Sequence, residues 1–368
     1  MTTFLDLFCG AGGLSLGLSQ AGWTALGSVD HWSDATSTYR TNLPGHTCEE
    51  AEVQNLSASR LAALLDDQPD WVVGGPPCQG FSTVGRRERE DPRNRLVREF
   101  HRIVGILEPK GFLIENVTGL RDMRFVREIV ALFEPLGYEV GSFVLAAADY
   151  GVPQLRRRIL FVGSREGRVF TPPAPTHAPD RYVTVWEAIG DLPELQPGEE
   201  RTGYVGPPQT DYQAALRQDS DVLQGHVASA HPPHLVEAIS YIPDGGNRRS
   251  IPPEHQPRSG FHNSYSRLDS KAPAVAVTQN MGKPSGTRCI HPFQHRGLTA
   301  REGARLQGFP DTFHFSGGIT SQRLQIANAV SPIFARQIAL ALQDDEHWVA
   351  DEPTQAEQLE LAGFAVGS

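Results

Sequence analysis

Short apolar runs that end in glycine or in an acidic residue recur along the first 165 residues of the chain. Runs of this length between turn residues predict buried strands, which lie at 3–8, 25–29, 71–73, 111–117, 140–146 and 158–163. Apolar residues at helical spacing follow several runs and predict helices at 14–21, from about 33, and at 94–107. Strands that alternate with helices favour an α/β domain built on a mainly parallel sheet.

The pattern changes after Pro172, where proline, glycine and histidine become frequent and helical periods become short. This composition predicts a smaller, loop-rich second domain. Regular structure returns near Thr299, which forms a predicted capping box with Glu302, and again in a last helix at 331–342. The expected division is a first domain at 1–180 completed by the C-terminal helical segment 319–343, a second domain with a hinge at 181–318, and an acidic, mobile tail at 344–368.

A glycine loop, Gly10-x-Gly12-Gly13, joins the first predicted strand to the first helix. Such a loop lets backbone amides approach a ligand at the positive end of the helix dipole. Asp30 ends the second strand and is suited to bind both hydroxyls of a ribose, although it could instead cap the helix that begins near Ser33. The spacing lacks the full Gly-x-Gly-x-x-Gly pattern, which disfavours an NAD-dependent dehydrogenase.

Cys78 lies in the sequence Gly-Gly-Pro-Pro-Cys-Gln-Gly-Phe-Ser, directly after the strand predicted at 71–73. Two prolines fix φ and remove two amide donors, so the turn before the thiol is stiff. The carboxyl end of a strand is where open α/β sheets bind ligands. Cys78 is therefore either a nucleophile, which requires a thiolate beside a positive charge, or a small buried hydrophobe.

Two further groups of polar residues follow the central strands. Glu115 ends an apolar run, so parallel strands would bring it to the same edge as Cys78, either as a proton donor or as a buried carboxyl bound to a backbone amide. Farther along, period-2 alternation places Gln154, Arg156 and Arg158 on one face. Arginines so placed can hold a thiolate, a phosphate or a base carbonyl, or can protect a sheet edge from aggregation.

Charge and cysteine usage limit the class of protein. The 368-residue chain has a net charge of −10, and seven carboxylates lie after residue 343, so the remainder carries only about −3. Seven arginines lie shortly after Cys78, either as a phosphate-binding segment or as a solvated helix face: Arg86, Arg87, Arg89, Arg93, Arg95, Arg98 and Arg102. Four scattered cysteines, no basic apolar leader and no long apolar run indicate a cytoplasmic protein with no structural zinc site and no membrane segment.

The motifs together identify a family resemblance. They occur in order at 6–13 (DLFCGAGG), 30, 75–82 (GPPCQGFS), 115–117 (ENV), 154–158 (QLRRR), 298–310 (LTAREGARLQGFP) and 325–330 (QIANAV). With these motifs in this order, the chain resembles the DNA (cytosine-5)-methyltransferases, especially those of bacterial restriction–modification systems or their orphan counterparts. The resemblance covers residues 4–340 except about 175–290. It implies a Rossmann-like S-adenosylmethionine-dependent methyltransferase sheet with helices on both faces, plus a loop-rich target-recognition domain.

The resemblance also implies the cofactor site. The cofactor would be S-adenosylmethionine, and the product would be S-adenosylhomocysteine. The residues implied to bind the cofactor are Phe8, Gly10, Gly13, Leu14, Asp30, Glu52, Asn328 and Val330. Asp30 would take the ribose hydroxyls and Glu52 the adenine amino group. Glu52 stands where the family usually has aspartate, Ala327 where it has glycine, and Ser331 where proline is common. No metal is expected.

The resemblance assigns the catalytic steps to four residues. Cys78 would add as a thiolate to C6 of cytosine, and Glu115 would supply the proton at N3. Arg158 would donate to the base O2, and Arg156 would favour the thiolate or hold a phosphate. The target base would have to be flipped out of the duplex.

The same resemblance makes double-stranded DNA the partner, in a monomeric enzyme of the bacterial nucleoid with a possible cognate restriction endonuclease. DNA contacts are predicted at Gln79, Ser82, Arg86, Arg87 and Gln154, and candidate guanine readers are Arg248, Arg249, Arg258 and Lys283. Two alternatives stay open at this point. One is a tRNA cytosine-5 methyltransferase on the same scaffold, and the other is an inactive DNA-binding homologue.

Overall fold

The computed structural model describes residues 1–77, 95–118, 123–218, 220–257, 264–286 and 288–350. These residues form two compact units. The first comprises Met1–Ala146, Arg157–Pro175 and the chain from Phe334, and the second comprises Ala147–Arg156 and Thr176–Ile333. Residues 147–156, 176–180 and 319–333 therefore belong to the second unit, although they were predicted to be part of the first domain. The catalytic and target-recognition roles assigned to the two domains stay predictions.

The first unit is built on a seven-stranded sheet whose order is β3-β2-β1-β4-β5-β8-β6. The first five strands in this order are parallel, and β8 runs antiparallel to both of its neighbours. The strands of the described residues are β1 Thr3–Leu7, β2 Thr24–Asp30, β3 Cys48–Glu50, β4 Trp71–Gly74, β5 Gly111–Val117, β6 Glu139–Ala146, β7 Gln154–Leu155, β8 Arg157–Ser164, β9 Val169–Phe170, β10 Ala274–Val275 and β11 Trp348–Val349. The predicted α/β fold is confirmed.

Helices connect these strands and also make up much of the second unit. The α-helices are α1 Gly13–Gln20, α2 Ser33–Asn42, α3 Ala58–Leu64, α4 Arg95–Leu107, α5 Met123–Phe133, α6 Val185–Ile189, α7 Asp211–Arg217, α8 Pro233–Ser240, α9 Ala300–Leu306, α10 Ile319–Asn328 and α11 Pro332–Gln343. The capping box of Thr299 and Glu302 is confirmed at the start of α9. The predicted C-terminal segment 319–343 is two helices, because Ala329 takes an extended conformation between α10 and α11.

Strand alternation gives the sheet two different faces. Leu5 and Leu7 of β1 enter a core that also contains Phe112 and Ile114 of β5 and apolar side chains of α4 and α5. Phe4 lies on the other face, where its ring meets that of Trp23 at 6.3 Å. Since both faces are buried, the strands read as almost continuous apolar runs.

The central strands approach each other closely at Gly74, the last residue of β4. A Cβ atom at this position would lie 2.1 Å from the backbone oxygen of Leu7. Only glycine fits there, which explains why the apolar run of β4 ends in glycine. The close approach brings the ends of β1 and β4 together at one edge of the sheet.

The second unit depends on buried ion pairs around α9. Arg296, Arg301 and Arg305 rank among the largest fully buried side chains of the described chain. Arg296 pairs with Glu302 at 2.6 Å, and Arg305 pairs with Asp311 at 2.6 Å. These contacts explain why so many charged residues can occupy a helix whose seven residues are all buried.

The acidic C-terminal segment is ordered at its beginning. β11 pairs antiparallel with β9, and Asp345 forms an ion pair of 2.9 Å with Arg168. The prediction of a mobile tail from residue 344 is therefore wrong for residues 344–350, because Trp348 packs its ring against Phe170 at 5.4 Å. The rest of the predicted tail, 351–368, lies outside the described residues. Within the described ranges, no helix is both long and apolar enough to cross a membrane.

Candidate active site

The carboxyl ends of the five parallel strands lie along one edge of the sheet, since parallel strands all end on the same side. Three of the predicted site residues follow directly from this topology. Phe8 comes after β1, Asp30 ends β2, and Glu52 lies two residues after β3. Glu115 lies near the end of the fifth strand in the row, β5. The topology therefore brings Asp30 and Glu115 to one edge of the sheet, whereas Cys78, which was predicted at the same edge, lies outside the described residues.

The loop between β1 and α1 has an unusual backbone. Phe8, Gly10 and Gly12 have φ values of 60°, 53° and 93°. A positive φ at a bulky side chain such as Phe8 is uncommon and costs on the order of 1 kcal/mol, so it marks a functional loop. A Cβ at Gly12 would lie 2.8 Å from the Tyr39 ring, whereas the space around Gly10 is open. The loop thus packs on one side and offers its other side to a ligand.

Asp30 is tied to this loop by backbone amides. The N–H of Gly10 donates to Asp30 Oδ2 at 2.9 Å, and the N–H of Trp32 donates to Oδ1 at 2.9 Å. The first residue before α2 is Trp32, with no side-chain cap, so Asp30 does not act as the helix cap. Each carboxylate oxygen keeps acceptor capacity for a further donor such as a ribose hydroxyl.

The remaining predicted cofactor residues are divided between the two units. Gly13 and Leu14 begin α1 and are buried, and Glu52 is exposed beyond β3. Asn328 and Val330 belong to the second unit, at the end of α10, so their part in a cofactor pocket stays a prediction. The open glycine loop and the carboxylate of Asp30 fit an adenosine-bearing cofactor on the chemistry of their donors and acceptors.

Asp6 is a buried acid at this edge to which the sequence analysis assigned no role. It is 1 % exposed, and Ser15 Oγ donates to its Oδ2 at 2.6 Å. Its Oδ1 has no hydrogen-bond partner among the described residues. Burial raises the pKa of Asp6 to about 7, against the lowering effect of the Ser15 hydrogen bond and with a further rise from the charge of Asp30. The signal in the sequence is an acid inside the apolar run of β1.

The raised pKa of Asp6 predicts a pH-dependent stability. Between the ordinary pKa of an unfolded aspartate, near 4, and about 7, the folded state holds a proton that the unfolded state has lost, so stability falls as the pH rises through this window. Asp6→Asn removes the titration and keeps an acceptor for Ser15. The free energy of unfolding of this variant, relative to wild type, should rise by about 2–3 kcal/mol between pH 5 and pH 8.

Urea titrations at the two pH values measure this difference. Asp66→Asn serves as the control because Asp66 is an exposed carboxyl of the same unit. If the free energies of unfolding of Asp6→Asn and wild type differ by the same amount at pH 5 and at pH 8, the pKa of Asp6 is not raised by burial.

Glu115 pairs with Arg158 across two neighbouring strands. Arg158 lies opposite Val117 in the antiparallel pair of β5 and β8, so it is the diagonal neighbour of Glu115 on the same face. Arg158 Nε lies 2.7 Å from Glu115 Oε1, although the N–H does not point along a hydrogen-bond direction. The two side chains are only 10 % and 12 % exposed, so the pair is weakly screened by solvent.

The turn that leads to Cys78 lies against this pair. A Cβ at Gly75 would lie 3.6 Å from Glu115 Oε2. The side-chain amide of Asn116 donates to the backbone oxygen of Pro76 at 2.8 Å. Asn116, to which the sequence analysis assigned no role of its own, therefore fixes the turn beside Glu115. The signal for it was its place directly after Glu115 in the matched motif.

Several predicted site residues lie outside the described residues: Cys78, Gln79, Ser82, Arg86, Arg87, Arg89 and Arg93. Of the remaining arginines of that segment, Arg102 is partly buried on α4. It pairs with Glu99 at 2.7 Å and donates to the backbone oxygens of Leu56 and Val53. This arginine has a structural role within the first unit.

Gln154 and Arg156 are built into the second unit. Gln154 is fully buried, and its amide nitrogen donates to Leu306 O at 3.1 Å while its oxygen accepts from the N–H of Val277 at 2.7 Å. Arg156 is 4 % exposed and donates to the backbone oxygens at the end of α10. The DNA contact predicted for Gln154 and the thiolate or phosphate contact predicted for Arg156 find no support in these placements, because both side chains are engaged in packing.

The predicted face of Gln154, Arg156 and Arg158 is therefore divided. Arg158 pairs with Glu115 in the first unit, and Gln154 and Arg156 belong to the second unit. The described residues contain no group of three or more His, Cys, Asp or Glu side chains that could hold a metal ion.

Comparisons with known proteins agree on one family. Residues 2–344 match the model of the C-5 cytosine-specific DNA methylases. The chain is 40 % identical to the type II methyltransferase M1.HphI of Haemophilus parahaemolyticus, over 92 % of this chain and 86 % of the relative. It is 36 % identical to M.DdeI of Desulfomicrobium norvegicum, over 91 % and 87 %. A crystal structure of a prophage-encoded DNA modification methyltransferase from E. coli has a TM-score of 0.76 and 27 % identity, over 93 % and 98 %.

Proposed function

The chain belongs to the C-5 cytosine-specific DNA methylase family, and from that premise we propose that it methylates C5 of a flipped-out cytosine within a specific sequence of double-stranded DNA. The methyl donor is S-adenosylmethionine, as the family implies. The observation that carries the proposal is the ion pair of Glu115 and Arg158, at 2.7 Å, beside the proline turn that precedes Cys78. A carboxyl and a guanidinium on one face can together recognise N3 and O2 of cytosine.

The chemistry explains why a thiol, a carboxyl and a guanidinium belong together. Cytosine C5 is too weak a nucleophile to accept a methyl group unaided. Addition of the Cys78 thiolate to C6 turns the ring into an enamine, while Glu115 holds a proton at N3 and Arg158 donates to O2. After methyl transfer, a base or water removes the C5 proton and the thiolate leaves from C6.

The residues of the glycine loop would hold the cofactor. Phe8 and Gly10 offer an open loop, Asp30 would accept from the ribose hydroxyls, and Glu52 would take the adenine amino group. When bound, S-adenosylmethionine supplies an electrophilic methyl group. The protein's part is to orient the cofactor and to exclude water from it.

The substrate base must leave the duplex before it can meet such a site, at a cost of a few kcal/mol. We assign target recognition to the second unit, which includes most of the region not covered by the family motifs. Relatives named type II methyltransferases support a companion restriction endonuclease for the same site. A monomeric state is part of the same proposal.

A denaturant-stable adduct tests the covalent step. Duplex DNA that carries 5-fluorocytosine at the target position should trap the wild-type protein in the presence of S-adenosylmethionine, because fluorine cannot leave as a proton. A band that migrates as a protein–DNA conjugate on a denaturing gel is the expected result. The target is first identified by bisulfite sequencing of DNA from cells that express the protein.

Cys78→Ser provides the matched control. It should give no adduct and no transfer of tritiated methyl groups, while it still binds S-adenosylmethionine in a filter or calorimetric assay. An adduct that forms equally with Cys78→Ser would exclude this thiol as the nucleophile. A wild-type protein that leaves every cytosine unmethylated would contradict the proposed function itself.

A further inference from the structure

A recess on the second unit gathers three arginines. It has a volume of about 400 Å³ and is lined by residues that include Gly245, Gly246, Arg248, Arg249, Gln256 and Arg288. The described residues that line it include no carboxylate. This is unusual in a chain whose net charge is −10. A concave site with guanidinium groups of this density attracts an anion.

The first wall of the recess is a short turn, Arg248–Ser250, that is fixed from both sides. The side chain of Asn247 accepts from the N–H of Arg249 at 3.0 Å. The amide of Gln256 donates to the backbone oxygens of Arg248 at 2.8 Å and Ile251 at 2.6 Å. The position of Arg249 is therefore preorganised although its side chain is exposed.

The second wall holds Arg288, which comes from a distant part of the chain. Its φ of 41° is rare for a residue with a long side chain. The side chains of Arg249 and Arg288 make no hydrogen bond or ion pair with any residue that the structure describes. Two exposed arginines from separate segments thus line one recess without a carboxylate partner in the described chain.

A buried arginine adds positive charge behind the recess. Arg267 is 3 % exposed, and its N–H donates to Gly246 O at 3.0 Å. Its guanidinium is held by backbone oxygens, among them those of Ile242 at 2.8 Å and Ile239 at 2.9 Å. Burial lowers the pKa of Arg267 to about 10, against the opposing charge of Asp244, so it stays charged at neutral pH.

The nearby acids either have donors of their own or lie on a neighbouring turn. Asp244 accepts from the N–H and the hydroxyl of Ser270, and Asp269 accepts from the N–H of Lys271. Glu254 is exposed on the neighbouring turn Pro253–His255. None of these three carboxylates is among the residues that line the recess in the described chain.

We propose that this recess is a phosphate clamp in which Arg249 and Arg288 bind the DNA backbone. The proposal rests on the proposed function, since it takes duplex DNA as the substrate. Arginine binds phosphate oxygens through two parallel N–H donors, and two such residues that line one recess can hold one or two phosphates in a set orientation. Arg249, a candidate guanine reader on the sequence alone, thereby positions the duplex and carries no sequence information itself.

The salt dependence of DNA binding tests the clamp. Binding of a 30-base-pair duplex with the target sequence is measured by fluorescence anisotropy between 50 and 200 mM salt for wild type, Arg249→Gln, Arg288→Gln and the double variant. Each phosphate contact contributes about 0.9 to the slope of log K against log salt, so the double variant should reduce that slope by about 2. Each single variant should weaken binding about tenfold.

Arg201→Gln is the matched control, because Arg201 is an exposed arginine of the same unit that pairs with Glu199 at 2.6 Å. It should leave the slope unchanged. Arg249→Lys, which keeps the charge, should restore most of the slope. An unchanged slope of log K against log salt in the double variant would overturn the proposal. If a variant keeps the slope but loses its sequence preference at one base pair, the substituted arginine reads a base, and the proposal is again wrong.

The source of the phosphate is distinguished by competition. Single phosphates of the duplex are replaced by neutral methylphosphonates. At one or two positions this replacement should weaken DNA binding by wild type, and it should not weaken binding by the double variant further. If inorganic phosphate at millimolar concentration binds the recess and methylphosphonates have no effect, the ligand is a free anion and the clamp is wrong. Anisotropy does not require methyl transfer, so failure of the clamp and failure of the proposed function are separate results.

Discussion

Replacing Glu115 by glutamine should lower the rate of methyl transfer roughly 10²–10⁴-fold, while the affinity for S-adenosylmethionine stays nearly constant. Glutamine has almost the same shape as glutamate, but its amide oxygen cannot carry a proton to N3 of cytosine. The carboxyl lies 2.7 Å from Arg158 Nε, so the substitution also removes the charge that orients this guanidinium. Single-turnover transfer of tritiated methyl groups to the duplex measures the chemical step directly.

Two controls separate chemistry from folding. Glu108→Gln changes another glutamate of the first unit, whose carboxyl lies 3.2 Å from Arg165 and is 64 % exposed, and it should keep the wild-type rate. The thermal midpoint of Glu115→Gln shows whether the unpaired Arg158 destabilises the sheet. A single-turnover rate within twofold of wild type would remove Glu115 from the mechanism.

Replacing Arg305 by methionine should lower the free energy of unfolding of the second unit by about 3–5 kcal/mol. Arg305 is fully buried and pairs with Asp311 at 2.6 Å and with Asp191 at 3.1 Å. Burial alone would raise the pKa of Asp311, but the hydrogen bonds and charge of Arg305 hold it below its usual value. Without the arginine, the buried carboxyls of Asp191 and Asp311 both lose Arg305, while Asp311 keeps Arg301 at 3.7 Å and the Tyr204 hydroxyl, so protonation or unfolding becomes more favourable.

Urea unfolding followed by amide hydrogen exchange in α9 measures this loss for the unit concerned. The variant should also recover part of its stability at low pH, because protonation neutralises the two buried carboxyls that have lost Arg305. Arg201→Met, at an exposed pair with Glu199, should change the unfolding transition little. A transition of Arg305→Met that coincides with the control would show that the buried pair is replaceable by apolar packing.

Elements with a strong local pattern were predicted well from the sequence. β5 was predicted at 111–117 and observed at Gly111–Val117, and α4 was predicted at 94–107 and observed at Arg95–Leu107. The strands predicted at 140–146 and 158–163 were observed as β6 and β8, which pair with each other. Such patterns are readable because strand and helix periods depend on neighbours two to four residues away.

Weak or ambiguous local patterns were read less well. No helix was predicted at 123–133, where α5 lies, and α10 and α11 were not predicted as separate helices. The mobile tail was predicted to start at residue 344, although Trp348 packs against Phe170 and Trp71. These outcomes depend on partners far along the chain.

The amino-acid sequence by itself determined the α/β fold class, the order of the motifs and the identity of the acids at the carboxyl edge, because each is written in local spacing and residue type. Tertiary structure alone decided which polar side chains face one another. Gln154, Arg156 and Arg158 alternate in sequence as one face, yet the register of β5 and β8 pairs Arg158 with Glu115, while Gln154 and Arg156 are hydrogen-bonded within the second unit. The raised pKa of Asp6 and the arginines of the recess follow from burial and convergence, which no local pattern encodes.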